Sequence, residues 1–140
     1  MVIALGEVGS IRLADGTILR LKIMIVDIKE GGFSPFGNIS FNVKAVGGIS
    51  TVRVPEEIRK LVIDKPIAPP EPPRDGWEII DIVEQDEAEV EEVVDSSRGK
   101  FKVRVAAEAI MVARNINYKT VDNEPLYQVS WVWKVSWKPV

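Results

Sequence analysis

The 140-residue sequence contains neither cysteine nor histidine. The chain therefore has no disulfide bond, no zinc site with Cys or His ligands, and no serine or cysteine nucleophile activated by histidine. Glutamine occurs only as Gln85 and Gln128, whereas Ile, Val, Glu and Lys are abundant. Such a bias is typical of proteins from hot environments. The composition predicts a thermophile-like protein that performs no histidine-dependent reaction.

Long apolar runs are also missing. No stretch approaches the ~18 apolar residues that a membrane-spanning helix requires. The first residues, MVIALGEVG, lack the basic start and the extended apolar segment of a secretion signal. We therefore expect a cytoplasmic protein, cellular or viral, that makes no contact with a membrane.

The sequence has no glycine-rich phosphate loop and no nucleotide-binding fingerprint. Carboxylates suited to acid–base chemistry occur at Asp27, Asp81 and Glu108, but nothing in the sequence places two of them across a cleft. The acidic run at 84–95 lacks the spaced ligands and the central glycine of a calcium-binding loop. We therefore predict no catalytic residue, no metal site and no cofactor, and a protein that is not an enzyme.

Alternating apolar residues dominate the chain, and they predict one β-rich domain over residues 1–140. Asp15-Gly16 is a strong signal for a hairpin turn between early strands. A long strand then leads into a glycine- and proline-rich loop that carries Phe33 and Phe36. These rings either cover the core or form an aromatic contact loop. Another alternating strand follows, which predicts a first long hairpin.

One short helix is predicted from Pro55, because proline fits the first helical position and glutamates fill the first turn. Residues 64–75, DKPIAPPEPPRD, form a proline-rich connector, either a strap across the fold or a ligand for another protein's groove. A short strand is expected at 77–83. The acidic stretch 84–99 is expected to be a helix or a mobile loop, because its valines share a helical face while its like charges repel.

Residues 100–118 alternate as in a strand, although the alanine-rich middle would also suit a helix. We prefer a strand because turn-forming residues at 120–125 connect it to the last stretch, which predicts a second long hairpin. Glu108 lies between alanines in this strand. We expect it to be partly buried; a buried acid can be catalytic but is more often paired with a nearby arginine or lysine, and Arg104 and Arg114 are the candidate partners.

The last stretch, LYQVSWVWKVSWKP, carries three of the four tryptophans. Alternate side chains of a strand share a face, so one apolar stripe would form from Val129, Trp131, Trp133, Val135 and Trp137. Such a stripe needs cover from the rest of the chain, a second copy or a ligand. The candidate interaction residues are Trp131, Trp133, Trp137, Tyr127, Phe33 and Phe36.

The net charge of −3 is unevenly distributed. Residues 64–97 hold 12 acidic residues against 2 basic ones, whereas residues 98–140 hold 8 basic against 3 acidic. Basic strands interleaved with aromatic rings are typical of single-stranded nucleic acid binding. Against this, the pI of about 5.1 is low, because nucleic-acid-binding domains often exceed ~9. The candidate cations are Lys100, Lys102, Arg104, Arg114, Lys119 and Lys134.

The predicted fold is mainly β: an antiparallel sheet or partly open barrel, made of two long hairpins and one short helix. Its element order is similar to the five-stranded oligonucleotide-binding barrel, which also places a helix between its third and fourth strands. The strand at 77–83 and the acidic insertion depart from that scheme. We expect a non-catalytic interaction or assembly module that buries an aromatic strand face against a protein partner or in a homo-oligomer. Single-stranded nucleic acid binding is the alternative.

Overall fold

The computed structural model describes residues 5–140, which are mainly antiparallel β-structure, as predicted. Within them, no helix is both long enough and apolar enough to cross a membrane. The strands are β1 (Leu5–Glu7), β2 (Gly9–Leu13), β3 (Ile18–Glu30), β4 (Phe41–Arg53), β5 (Trp77–Ile80), β6 (Ile82–Asp86), β7 (Ala88–Ser96), β8 (Gly99–Asn115) and β9 (Leu126–Pro139). A single-turn helix, α1, covers Glu56–Arg59.

The strands form two antiparallel sheets that meet at one corner. One sheet has the order β1-β7-β8-β9, with β5 paired to the far end of β8, and the other has the order β4-β3-β2-β6. Only Val8 separates β1 from β2, and only Glu87 separates β6 from β7. The β1–β2 segment and the β6–β7 segment therefore lie side by side where they pass from one sheet into the other. Gly9 permits this close approach, because a Cβ there would lie 2.7 Å from the Ala88 amide nitrogen.

Joined at this corner, the sheets make one bent surface with the order β4, β3, β2/β1, β6/β7, β8, β9. It does not close into a barrel. The likeness to the oligonucleotide-binding barrel does not extend to strand number or helix position, because the bent sheet has more than five strands and α1 follows the fourth of them. The open side lies between β4 and β9.

Two long hairpins, β3–β4 and β8–β9, build most of the molecule, as the sequence predicts. The alanine-rich segment is the strand β8, not a helix. Its alternate residues Phe101, Val103 and Val105 point into the core, and Ala106 is also fully buried. A register shift beside Ile110 keeps the later part of β8 paired with β9.

The core lies between the two sheets. Its largest fully buried apolar side chains are Ile11, Leu13, Leu19, Leu21, Val103, Val105 and Val112. A second cluster at one end contains Ile39, Phe41, Phe101 and Val103, with Trp137 packed against it. Burying branched side chains of this size contributes roughly 1.5–3 kcal/mol each before the entropy cost is subtracted.

The expectation of a helix or mobile loop at 84–99 is wrong, because this stretch supplies β6, β7 and the turn into β8. Ala88 and Val90 point into the core. Glu89 lies on the outer face, where its charge is balanced by Arg104 across the β7–β8 pair. The repulsion expected among the carboxylates is thus relieved by cations from a neighbouring strand.

The connector at 64–75 forms no strand. Trp77 Nε1 donates a hydrogen bond to the Pro73 carbonyl at 2.7 Å, and an isolated bridge pairs Ile67 with Lys119.

The predicted strand at 77–83 is divided between the sheets. β5 ends at Ile80 and pairs with β8, whereas β6 begins at Ile82 and pairs with β2.

Candidate interaction site at the open seam

The strands β4 and β9 face each other across the open side of the bent sheet, and we call this opening the seam. Each is an edge strand, and neither pairs with a further strand in residues 5–140. They run antiparallel, so Phe41 lies near Trp137 at one end and Thr51 lies near Glu124 at the other. The seam is thus flanked by two long backbone edges.

Side chains, not a backbone ladder, bridge the seam at three levels. The rings of Phe41 and Trp137 meet edge-on, with centroids 5.6 Å apart. In the middle, a Cβ on Gly47 would lie 3.0 Å from Trp131 Cζ2, so the indole rests directly on the β4 backbone. At the far end the Thr51 hydroxyl donates to Glu124 Oε1 at 2.6 Å.

Between the two tryptophan bridges lies a groove of about 280 Å³. Val43, Lys44 and Ala45 line it from β4, and Trp133 and Val135 line it from β9. Its floor is Val105, which is fully buried. Trp133 is 39% exposed and Val135 is 42% exposed, so the groove leads from solvent to the core.

The predicted tryptophan stripe lies along the seam, but its three indoles have different surroundings. Trp131 and Trp137 are partly buried, whereas Trp133 is exposed. The Trp133 ring stands edge-on to Trp131, with centroids 6.0 Å apart. Trp131 and Trp137 therefore close parts of the seam, and Trp133 remains available for contact.

The loop between β3 and β4 extends this aromatic surface. Trp137 Nε1 donates to the Phe36 carbonyl at 2.9 Å, and Phe36 lines a hollow of about 260 Å³ with Val135 and Trp137. The Phe36 side chain is 71% exposed and Phe33 is 76% exposed. The loop phenylalanines therefore do not cover the core. Phe36 lies at the end of the seam, and Phe33 is exposed in the same loop.

Tyr127 has a different environment from the other candidate residues. Its hydroxyl donates to Asp15 Oδ2 at 2.9 Å and accepts from the Thr17 hydroxyl at 2.8 Å. Arg114 reaches the same Asp15 oxygen at 3.1 Å and also holds Glu78. This polar network joins the β2–β3 turn to β8 and β9, so Tyr127 ties the two sheets together.

Burial raises the pKa of Tyr127, and the nearby Asp15 charge acts in the same direction, against the hydrogen bond from Thr17. Below pH ~10 both folded and unfolded chains keep the phenol proton. At higher pH the unfolded chain releases it first and so binds fewer protons, which makes the free energy of unfolding fall as pH rises.

We therefore expect Tyr127→Phe to make the free energy of unfolding less sensitive to alkali than that of the native chain. Urea unfolding at pH ~8 and pH ~11 checks this, since the unperturbed phenol titrates between them. Tyr118→Phe is the matched control. If the free energy of unfolding fell equally between pH ~8 and pH ~11 in the native and Tyr127→Phe proteins, the raised pKa of Tyr127 would be contradicted.

Most candidate nucleic-acid cations are engaged with groups of this chain. Arg104 Nε bonds Glu89 at 2.5 Å, an interaction that raises the pKa of Arg104. Lys134 Nζ lies 2.6 Å from both Glu108 and Glu87, and these carboxylates raise its pKa. Glu108 is therefore paired with a lysine, Lys134 from β9, and the two candidate partners named from the sequence, Arg104 and Arg114, are wrong.

The remaining candidate cations are scattered. Lys102 lies 4.0 Å from Glu91, and Lys119 Nζ donates to the Ile63 carbonyl at 3.0 Å. Arg114 is held in the polar network, and Lys100 is exposed at the opposite end of β8. The six cations therefore do not line one groove with the tryptophans.

The partners of Tyr127 and Arg114 were not predictable from the sequence, in which Asp15 is only a turn residue. In the structure the Asp15 side chain both accepts within its turn and anchors the polar network. In the part of the chain that is described, no cluster of three or more carboxylates is arranged to hold a metal ion. The grooves along the seam are therefore the candidate site. Comparisons of the chain with protein-family models, curated proteins and solved structures find no match.

Proposed function

We propose that the protein is a non-catalytic interaction module that buries its seam against another polypeptide. The observation that carries this proposal is the pair of long, unpaired edges flanking a groove with Trp133 exposed at its mouth. An exposed edge strand presents unpaired N–H and C=O groups to any suitable chain. Regular strands of 13 and 14 residues offer such groups along their length.

The side chains at the seam have the chemistry of a contact surface. Tryptophan is enriched among the few residues that dominate binding energy, and those residues lie in desolvated pockets of the interface. Trp133 has this character, because the buried Val105 beneath it is already shielded from water and a partner would cover its exposed side. Between Leu126 and Ser136, β9 carries one charge, Lys134, which is already held by two carboxylates.

A photo-reactive amino acid in place of Trp133 tests the proposal. Irradiated in extract of its native cells, the labelled protein is expected to form adducts through position 133. The control carries the same group at Ile63, an exposed apolar position near α1 and outside the seam. Adduct yields at 133 no greater than those at 63 would contradict the proposed function.

The nucleic-acid alternative is tested separately. Since Arg104, Arg114 and Lys134 are engaged with carboxylates, we expect tryptophan fluorescence to be unchanged on titration with oligo-dT at low salt. Stacking of bases on exposed indoles would instead quench the fluorescence, and added salt would reverse the effect. Salt-sensitive quenching would therefore support the alternative.

A further inference from the structure

The charges of the two open edges contrast with those of the corner. The strands β4 and β9 carry Lys44, Arg53, Lys134 and Lys138 and no carboxylate. The strands β6 and β7 carry Glu84, Asp86, Glu89, Glu91, Glu92 and Asp95 and no cation. The seam is therefore basic and the corner acidic. We call the following segments together the acidic corner: β1 with the adjoining Val8, and β6 and β7 with Glu87 between them.

These two surfaces are different parts of the bent sheet, and Lys134 of β9 reaches Glu87 of the acidic corner at 2.6 Å across β8. The bent sheet runs from β4 through β3 and β2/β1 to β6/β7, β8 and β9, so the acidic corner is midway between the two edges of the seam. Val8 and Val83 are exposed on these corner segments. The corner thus offers apolar as well as acidic groups.

The acidic corner also contains a carboxylate, Glu7, that lies beside a like charge and lacks an ion-pair partner among residues 5–140. Glu7 lies directly opposite Glu89 in the β1–β7 pair, an arrangement that destabilises a sheet. Arg104 neutralises Glu89, whereas Glu7 has no ion-pair partner in residues 5–140. Glu7, Glu89 and Glu91 line a groove of about 270 Å³ with Gly6. A cation from outside the chain would relieve this repulsion.

Three cations of the seam are also without a carboxylate partner among the described ion pairs, namely Lys44, Arg53 and Lys138. A two-fold contact between two seams would bring these like charges together. A contact between a seam and an acidic corner brings opposite charges together instead, which favours that orientation.

We infer that the occupant of the seam is the acidic corner of a second copy of this chain. This inference rests on the proposed function and names its partner. Because the seam and the acidic corner are different surfaces of the same chain, the contact is head-to-tail and leaves a seam and a corner open at the ends. Such contacts propagate into open filaments unless the rotation between copies closes a ring.

Two variants that complement each other test this orientation. Trp133→Glu disables the seam, and the double variant Glu7→Lys/Asp86→Lys disables the acidic corner. The corner substitutions are at exposed positions, and lysine at position 7 faces Glu89, so they leave the folded monomer intact. Circular dichroism and urea unfolding verify the fold of each variant.

We expect the native chain to form species that grow with concentration and shrink with salt in sedimentation velocity. Each variant alone is expected to be monomeric, and an equimolar mixture is expected to form heterodimers that grow no further. Ile63→Glu, outside both surfaces, is expected to assemble like the native chain. A native chain that stays monomeric at low salt, or one that forms only dimers while the mixture stays monomeric, overturns the inference.

The photo-crosslink from position 133 separates this inference from the proposed function. An adduct within residues 82–96 of a second copy supports the head-to-tail contact. An adduct with another protein, or with β9 of a second copy, overturns the inference but keeps the seam as a contact surface. No excess of adducts over position 63 overturns both.

Discussion

Arg114→Met is expected to lower the free energy of unfolding by about 3–5 kcal/mol, the usual cost of leaving one charge of a buried ion pair without its partner. The Arg114 side chain is 11% exposed and that of Asp15 is 7% exposed. Tyr127 donates to the same carboxylate but brings no positive charge. Urea unfolding followed by tryptophan fluorescence measures the loss.

Arg104→Met is the matched control on the same strand. Arg104 also pairs with a glutamate, but its side chain is 39% exposed, so we expect a loss of no more than about 1 kcal/mol. The double variant Asp15→Asn/Arg114→Met removes both charges and should recover part of the stability lost in Arg114→Met. Equal losses for the two arginine variants would show that the network does not join the sheets as described.

The second large effect is expected for Trp131→Ala, which should cost about 3 kcal/mol, at the low end of values for buried aromatic residues. The Trp131 indole rests on Gly47 and packs against the main core cluster. Its removal opens the middle of the seam to water. Because the ring is only partly enclosed, the loss should not reach the upper end of that range.

Trp133→Ala is the internal comparison, two residues along the same face of β9. Its ring is exposed at the mouth of the groove, so we expect less than about 1 kcal/mol of lost stability in the monomer. The same substitution should abolish the concentration-dependent assembly. If instead Trp133→Ala destabilised the monomer as much as Trp131→Ala, Trp133 would belong to the core and the seam would offer no exposed anchor.

The strands of the two hairpins were predictable because their pattern is local. Alternation from Phe101 to Ala109 and from Val129 to Trp137 places one set of side chains on one face, whatever the strands pair with. The prediction for the acidic segment 84–99 was wrong for the opposite reason, because its structure depends on a neighbouring strand. Its repulsion is relieved by Arg104 and Lys102 on β8, and a reading of the segment alone does not include those cations.

The candidate site could not be predicted from the sequence, because its position depends on which strands stay unpaired. Trp131 and Trp133 are equivalent in the sequence pattern, and only the position of Gly47 across the seam makes one a packing residue and the other a surface residue. Likewise, Asp15 and Arg114 lie 99 residues apart in the sequence. Their pairing depends on how the two sheets stack, and no local spacing encodes it.

Hydrogen exchange measured on dilute and on concentrated native protein at low salt tests the central claim most directly, because amides buried in a contact exchange more slowly. Amides of β9 and of the acidic corner are predicted to slow together in the concentrated sample, while those of the loop at 116–125 keep their rates. Unchanged exchange along β9, at concentrations where sedimentation shows assembly, would contradict the claim that the seam is the contact surface.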